Sequence, residues 1–368
     1  MDSSRFDRLA KTFSRRLTRR DTLAASTAAL ATLGFTRSGL AAQEATPDAS
    51  PASVEIGPAF LFVQLAESGT WMPKPDEPGV YLLTLYGASN QTLYFSDRPD
   101  RIVGTVSTER FLGALGFTPG EPPNAADILA RGWGYATVGY NDIQPDRADA
   151  WTEGVIGQTL KAGQTKPAAD EWGTISAWAW GASRIADYLQ SDRNVDGSRI
   201  ALYGFSRLGK TVLWAAAQDE RFKAVFSGCA GEMGSALARR DWGETVDDMA
   251  QNFPWQFSES LQQWPGRWSE MPVDAHMLIA LSAPRPVFVT GGTGDQWSDP
   301  KGEFLAQVAA GPVYRLLGAR DLGTANYPAP DTPVISGDLG FNLHTGPHTA
   351  TPGEWAMFVD FLSRYFRS

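Results

Sequence analysis

Ser206 lies in a sequence that could hold a catalytic nucleophile. It stands between a predicted strand at 199–203 and a predicted helix at 210–218. Gly204 and Gly209 flank it in the spacing G-x-S-x-x-G. Small residues beside a serine at such a tight turn are typical of a nucleophile elbow, in which the hydroxyl points out above the carboxyl ends of the strands. The N–H groups at the start of the helix would favour an oxyanion that develops at the same point.

The serine needs a base and an acid to become reactive, because its hydroxyl is a weak nucleophile until an oriented imidazole takes the proton. In chains with this turn, the acid and then the histidine follow the serine in sequence. Asp295 comes just after a strand-like run, and His348 lies in a Gly- and Pro-rich loop predicted at 341–348. We predict that these two residues complete a triad with the serine. Asp299 stays open as an alternative acid and His344 as an alternative base.

Strand-like and helix-like segments alternate from about residue 126 to the C-terminus. Buried strands that alternate with helices predict a mostly parallel sheet with helices packed on both faces. Together with the serine turn, this pattern predicts an α/β-hydrolase three-layer sandwich as the catalytic domain at 126–368. The predicted strands are 135–140, 199–203, 224–226 and 286–290, and the predicted helices are 173–189, 210–218, 302–310 and 353–366.

The N-terminal part of the chain changes composition three times. Residues 1–42 carry arginine pairs, a short Ala-rich apolar run and then small residues, which is the pattern of a secretory signal peptide. The arginines at 19–20 also resemble a twin-arginine signal, so we expect export to the periplasm or the extracellular space by that route. Residues 43–55 read as a flexible linker. Residues 56–125 are predicted as a small β-rich region, with strand-like runs at 59–63, 80–85 and 91–95.

Composition excludes several classes of partner and cofactor. The net charge is −9, and it becomes more negative without the basic residues of 1–42, which argues against binding to nucleic acid or anionic membranes. The single cysteine, Cys229, excludes a disulfide framework and a cysteine-based zinc site. Three histidines are too few for a multi-histidine metal centre. We predict no metal, no cofactor and a monomer, with Cys229 as a small buried residue.

A set of short motifs carries a resemblance to a known family. In the serine motif Ser206–Lys210, an arginine directly follows the serine and a lysine lies four residues after it. This motif resembles that of the bacterial glucuronoyl esterases, carbohydrate esterase family fifteen. The resemblance covers about residues 128–368, and the family's N-terminal strands are not matched. Other similar segments are Trp172–Ile175, Arg239–Arg240, Gly243–Thr245, Asn252–Pro254, Asp274–Ala280, Asp295–Pro300 and Gly346–His348.

The resemblance implies a secreted serine esterase that cleaves esters between 4-O-methyl-glucuronic acid on xylan and lignin alcohols. The triad predicted above matches the family's nucleophile, acid and base. Arg207 matches the residue that helps to bind the oxyanion. Lys210, Glu244 and Trp297 match residues that contact the uronate sugar. The expected partner is therefore the ester linkage between glucuronoxylan and lignin.

Two departures from the family leave questions open. Some members place a glutamate after the strand that follows the nucleophile, where this chain has Cys229. Asp295 must then serve alone as the acid, unless Glu232 substitutes for it. The region at 56–125 either supplies the missing strands or leaves the sheet smaller than usual. The alternative functions are another carbohydrate or acyl esterase on the same triad, and a carbohydrate-binding protein without activity.

Overall fold

The structure is a computed structural model, and it describes residues 60–66, 81–86, 133–192 and 195–366. The predicted signal peptide, the predicted linker and the strand-like run at 91–95 lie outside these residues. Every described residue belongs to one compact unit, Ile56–Ser368. Among the described residues, no helix combines the length and the apolar character needed to cross a bilayer.

In the part of the chain that the structure describes, the centre of the fold is a sheet of seven strands that pair with one another in parallel. The strands are β1 (Phe60–Ala66), β2 (Tyr81–Tyr86), β3 (Trp133–Gly139), β4 (Ile200–Phe205), β5 (Phe222–Gly228), β6 (Val287–Gly292) and β7 (Leu339–His344). Their order across the sheet is β2-β3-β1-β4-β5-β6-β7. Strands β1 and β2 come from the predicted β-rich region, and β1 lies between β3 and β4 and pairs with both. The described part of that region therefore supplies strands to the main sheet.

Helices connect the strands and cover the sheet. They are α1 (Tyr140–Ile143), α2 (Gly154–Thr159), α3 (Thr174–Ser191), α4 (Arg207–Gln218), α5 (Val246–Asn252), α6 (Ala275–Ala280), α7 (Pro300–Leu316) and α8 (Pro352–Leu362). Between β5 and β6 the chain also forms 3₁₀ turns at Ala238–Arg240, Pro254–Gln256, Glu259–Gln263 and Trp268–Glu270. A further 3₁₀ turn, Gln296–Ser298, follows β6. The helices predicted at 173–189, 210–218, 302–310 and 353–366 correspond to α3, α4, α7 and α8.

Successive residues of the central strands face opposite sides of the sheet, as the pleat requires. Leu202 and Val225 join the apolar core that contains side chains of α3, α4, α6 and α7. Their neighbours Tyr203 and Phe226 join a second core with the aromatic side chains of α8, where the rings of Tyr203 and Trp355 have centroids 4.3 Å apart. Each large side chain fully buried in this way contributes about 1.5–3 kcal/mol. The two cores confirm the predicted three-layer arrangement.

Strand β7 corrects the prediction that 341–348 is a loop. Residues Leu339–His344 pair in parallel with β6, and the loop begins after His344. Gly340 and Asn342 obscure the strand in the sequence, because both residue types are depleted in strands. The structure requires a glycine at 340, since a Cβ there would lie 2.6 Å from Cδ2 of Phe288.

Candidate active site

The turn between β4 and α4 holds Ser206 in a conformation that few side chains adopt. Its φ is 57° and its ψ is −127°, and such strain persists where the surrounding structure enforces it. A Cβ at Gly204 would lie 2.1 Å from the carbonyl oxygen of Leu208. A Cβ at Gly209 would lie 2.8 Å from the Cβ of Ala230. Close packing on both sides of the serine therefore explains the glycines of the G-x-S-x-x-G spacing.

Ser206 precedes α4, but its hydroxyl does not cap the helix. Its backbone carries the structural hydrogen bonds instead. The Ser206 N–H donates to the carbonyl of Gly228 at 2.8 Å, and its carbonyl accepts from the N–H of Lys210 at 3.2 Å. The positive end of the 12-residue helix α4 directly follows the serine, and this end favours a negative charge. The turn thus combines a hydroxyl and an electropositive helix terminus.

His348 and Asp295 form a hydrogen-bonded pair beside this turn. Nδ1 of His348 lies 2.6 Å from Oδ2 of Asp295, and the imidazole packs against Phe205 with ring centroids 4.6 Å apart. Because a carboxylate accepts this bond, Nδ1 carries a proton, and in the neutral ring the lone pair is then on Nε2. Burial alone would raise the pKa of Asp295, but hydrogen bonds from His348 and Ser298 outweigh burial, and the pKa is lowered. The pair has the arrangement of an oriented base and its carboxylate.

The two alternative acids have other partners. Asp299 accepts two hydrogen bonds from Arg240, at 2.6 Å and 3.2 Å, and precedes α7 with a left-handed φ of 46°. Glu232 accepts the backbone N–H of Met233 at 2.9 Å, and burial raises the pKa of Glu232 to about 8. Of the three acids considered from the sequence, the structure brings Asp295 to His348.

His344, the alternative base, is the last residue of β7 and is buried. Its Nδ1 lies 2.7 Å from Oε1 of Glu354, and its Nε2 lies 2.9 Å from the carbonyl oxygen of Pro347. Burial opposes the charged imidazolium, but the hydrogen bond and charge of Glu354 dominate and raise the pKa of His344. Both ring nitrogens are bound within the protein, so His344 supports the loop that carries His348.

Arg207 lies next to the serine, and its guanidinium forms an ion pair with Asp146. The same guanidinium lies over the ring of Phe253, with Cζ 5.8 Å from the ring centroid. Asp146 also accepts hydrogen bonds from Trp255 and Gln256. Asp146 was not predicted from the sequence. It follows α1 shortly after the carboxyl end of β3, and an acid placed after a parallel strand is the signal that could have identified it.

Lys210, Glu244 and Trp297 form one connected cluster. The ammonium of Lys210 donates to the carbonyls of Ala230 and Glu232 at 2.7 Å and 2.6 Å, and to Oε2 of Glu244 at 2.8 Å. The indole N–H of Trp297 donates to Oε1 of Glu244 at 3.2 Å. Lys210 is buried, whereas half of Trp297 is exposed. The structure therefore brings the three predicted sugar-binding residues together, with Glu244 in the middle.

Cys229 lies beside Asp295 and His348 and is buried. Its sulfur, a carboxylate oxygen of Asp295 and a ring nitrogen of His348 lie within 4.8 Å of one another. Burial, followed by the charge of Asp295, raises the pKa of the Cys229 thiol well above its usual value. A metal would need the thiolate, and Asp295 and His348 are already hydrogen-bonded to each other. The geometry of this cluster fits that hydrogen bond.

Fold and site together define the class of protein. A parallel sheet between two helical layers carries a strained serine at a strand-to-helix turn. A histidine paired with an aspartate follows the serine in the chain order typical of this class. The protein is an α/β-hydrolase.

Comparisons with known proteins give the family within this class. A family model described as "Glucuronyl esterase, fungi" matches residues 167–318. The carbohydrate esterase MZ0003, from an unknown prokaryotic organism, is 41% identical over 237 residues, which are 64% of this chain and 54% of that protein. The 4-O-methyl-glucuronoyl methylesterase of Phanerochaete carnosa is 28% identical over 278 residues, 70% of this chain and 66% of that protein.

A solved structure shows the same relationship in three dimensions. The glucuronoyl esterase from Solibacter usitatus matches with a TM-score of 0.66 and 37% identity, over 83% of this chain and 73% of that chain. The chain therefore belongs to the glucuronoyl esterase family, and the resemblance seen in its motifs is confirmed. It spans about half the length of the carbohydrate esterase MZ0003.

Proposed function

We propose that this protein is a carboxylic ester hydrolase that cleaves esters of 4-O-methyl-glucuronic acid through an acyl-enzyme on Ser206. The observation that carries the proposal is the 2.6 Å hydrogen bond between His348 and Asp295, beside the strained turn that holds the serine. Two relatives support the substrate class, since one is a glucuronoyl esterase and the other a 4-O-methyl-glucuronoyl methylesterase. The ester that joins glucuronoxylan to a lignin alcohol is the proposed natural substrate.

The reaction has two halves. In the first, Oγ of Ser206 attacks the ester carbonyl while Nε2 of His348 takes its proton, and Asp295 stabilises the imidazolium. The oxyanion develops at the N-terminus of α4 beside Arg207. The imidazolium then gives its proton to the departing alcohol, which leaves a glucuronoyl ester on the serine. In the second half, water attacks the carbonyl of the acyl-enzyme while Nε2 of His348 takes its proton. The bond between the acyl carbon and Oγ of Ser206 then breaks, the imidazolium returns the proton to Oγ, and glucuronic acid leaves.

Glu244 and Trp297 are the proposed contacts to the uronate ring. The carboxylate accepts the indole N–H, so an acceptor for sugar hydroxyls lies next to a half-exposed apolar ring. Sugar rings present hydroxyl groups and apolar C–H faces, which such a pair matches. Lys210 fixes the orientation of Glu244 and adds a positive charge to the site. To bind a sugar hydroxyl directly, it would have to exchange one of its three acceptors.

Export is part of the proposal, and the basic, apolar and small-residue segments of 1–42 support it. Replacing Arg19 and Arg20 by lysine should leave the protein in the cytoplasm if the twin-arginine route carries it. Fractionation of cells that express either form, with N-terminal sequencing of the exported form, checks this. Export that is indifferent to both substitutions would contradict that route.

The test of function is hydrolysis of benzyl glucuronate, with p-nitrophenyl acetate as a general ester. Ser206→Ala should lower kcat by about 10⁴-fold or more on both substrates, because the nucleophile is lost. Ser191→Ala, which changes an exposed serine at the end of α3, is the matched control and should leave both rates unchanged. Cleavage of the acetate alone would leave a serine esterase but remove the uronate assignment. A folded sample that binds glucuronoxylan and cleaves neither ester would favour the binding-protein alternative.

A further inference from the structure

Asp146 is an acid whose largely buried carboxylate is bound from three directions. Its Oδ2 pairs with Nη1 of Arg207. Its Oδ1 accepts the indole N–H of Trp255 at 2.6 Å and the amide of Gln256 at 3.0 Å. The Asp146 side chain is 6% exposed, and that of Arg207 is 21% exposed. The arginine that follows the nucleophile is thus held by a carboxylate that is itself held by two further donors.

These bonds join parts of the chain that are distant in sequence. Asp146 lies just after α1, and its own N–H donates to Asn141 at 2.9 Å. Trp255 and Gln256 belong to the 3₁₀ turn Pro254–Gln256, which lies between β5 and β6. The nearby ring of Phe253 lies against the guanidinium. The position of Arg207 is therefore set by two segments outside the serine motif.

A stabilising donor must already be in place when the oxyanion forms, because reorganisation at that moment would cost rate. The arginine side chain has several rotatable bonds, so holding it in one orientation costs conformational entropy. Most of that ordering is supplied in advance where a buried carboxylate fixes the guanidinium. A displacement of about 1 Å at a catalytic group can lower a rate by about 10²-fold.

We propose that Asp146 is a positioning residue, which holds Arg207 in the orientation that stabilises the oxyanion on Ser206. This inference rests on the proposed function for the role of Arg207. It adds a residue outside the sugar cluster and outside the triad, and it assigns a role to the Trp255–Gln256 turn. Asp146 acts through Arg207, so removing it should lower kcat and leave KM nearly unchanged.

The test is a double-mutant cycle on Asp146 and Arg207. Arg207→Ala should lower kcat by about 10²–10³-fold, and Asp146→Ala should lower it by about 10-fold to 10²-fold. Asp146→Asn, which keeps the size and one acceptor oxygen, should restore part of that loss. The double variant should match Arg207→Ala alone, because Asp146 has no effect without the arginine. Losses that multiply in the double variant would overturn the proposal, as would an unchanged or raised kcat in Asp146→Ala.

A second measurement separates this inference from the substrate assignment. The rate at which a fluorophosphonate labels Ser206 depends on the serine and the oxyanion site but needs no sugar. In this assay we expect the labelling rates of the original protein, Arg207→Ala, Asp146→Ala and the double variant to follow the same pattern as their kcat values. Failure to cleave benzyl glucuronate with the labelling pattern intact would remove the uronate function and keep the role of Asp146.

Two controls guard against a purely structural effect. Asp187→Ala removes an acid that pairs with Arg184 and Arg221 away from the site, and it should leave kcat and labelling unchanged. Urea unfolding establishes that each variant is folded. Where Asp146→Ala does not fold, Trp255→Phe removes one donor to the carboxylate and keeps an aromatic, though smaller, ring at the position. Trp255→Phe should lower kcat less than Arg207→Ala does. When it is added to Arg207→Ala, it should cause no further fall in kcat.

Discussion

Replacing Lys210 by Met should cost about 3–5 kcal/mol of unfolding free energy, because it would leave a buried carboxylate without its cation. The ammonium lies 2.6–2.8 Å from two carbonyls and from Oε2 of Glu244. The lysine and glutamate side chains are 5% and 10% exposed, so water would replace the lost bonds only in part. Met keeps the apolar stem, which packs at Gly234, where a Cβ would lie 2.8 Å from Cγ of the lysine.

Equilibrium unfolding in urea, followed by tryptophan fluorescence, measures this loss as a shift of the transition midpoint at constant slope. Lys166→Met is the matched control. Its ammonium forms an exposed pair with Glu259, and such pairs are worth at most about 1 kcal/mol. Adding Glu244→Gln to the Lys210 variant should recover much of the stability, because the unpaired charge is then removed.

The result also decides how Lys210 serves the site. We expect lower stability, and we expect a higher KM for benzyl glucuronate because Glu244 loses its fixed orientation. This reasoning would be refuted by a Lys210→Met variant whose free energy of unfolding lies within about 1 kcal/mol of the original protein's and whose KM is raised. The ammonium would then act by contacting the sugar directly, as the family resemblance alone implies.

Further predictions concern Asp295, His344 and the turn that holds Ser206. Asp295→Asn should lower kcat by about 10⁴-fold with little change in KM, measured with benzyl glucuronate, because an amide favours the wrong imidazole tautomer. Because the pKa of Asp295 is lower in the folded protein than in the unfolded chain, its carboxylate stabilises the fold above the unfolded pKa of about 3.9, and this stability is lost as pH falls through the folded pKa. The urea midpoint should therefore vary less between pH 3 and 6 in Asp295→Asn than in the original protein. Because the pKa of His344 is higher in the folded protein, the protonated imidazole stabilises the fold below about pH 6.5, and this stability is lost as pH rises through the folded pKa. In His344→Asn the urea midpoint should therefore depend less on pH between pH 6 and 9. Gly204→Ala should destabilise by about 1–3 kcal/mol or more in urea, since its Cβ would meet backbone at 2.1 Å, whereas Gly163→Ala, with open space around it, should cost about 1 kcal/mol. Equal losses for the two glycine variants would contradict the packing argument at the turn.

The parts of the site that the sequence predicts are those set by local chemistry. The Ser206 turn is recognisable because its glycines are required by contacts within a few residues and with the next strand. Asp295 and His348 are recognisable because the ends of parallel strands meet at one edge of the sheet, so acids and histidines after strands converge there. The same rule applied to β3 would have pointed to Asp146.

Other parts depend on contacts that are distant in sequence. Strand β7 was not predicted because a glycine is required at 340 by the ring of Phe288 on the neighbouring strand, and a local sequence pattern does not show that requirement. The burial of Lys210 could not be predicted either, since two of its three acceptors are backbone carbonyls 20 and 22 residues away. Only the folded chain shows that a lysine in the first turn of a helix lies inside the protein.

The first turn of α4 carries two cations, Arg207 and Lys210, at the helix end where the macrodipole already concentrates positive charge. Taken alone, this arrangement should destabilise the helix. Each cation is offset by its own carboxylate, Asp146 or Glu244, and both carboxylates come from segments outside the serine motif. The fold therefore tolerates two cations at this helix end because each is paired with a carboxylate before any substrate binds. An oxyanion on Ser206 would then form beside a helix N-terminus and cations that are already in position, and it would require no rearrangement of the protein.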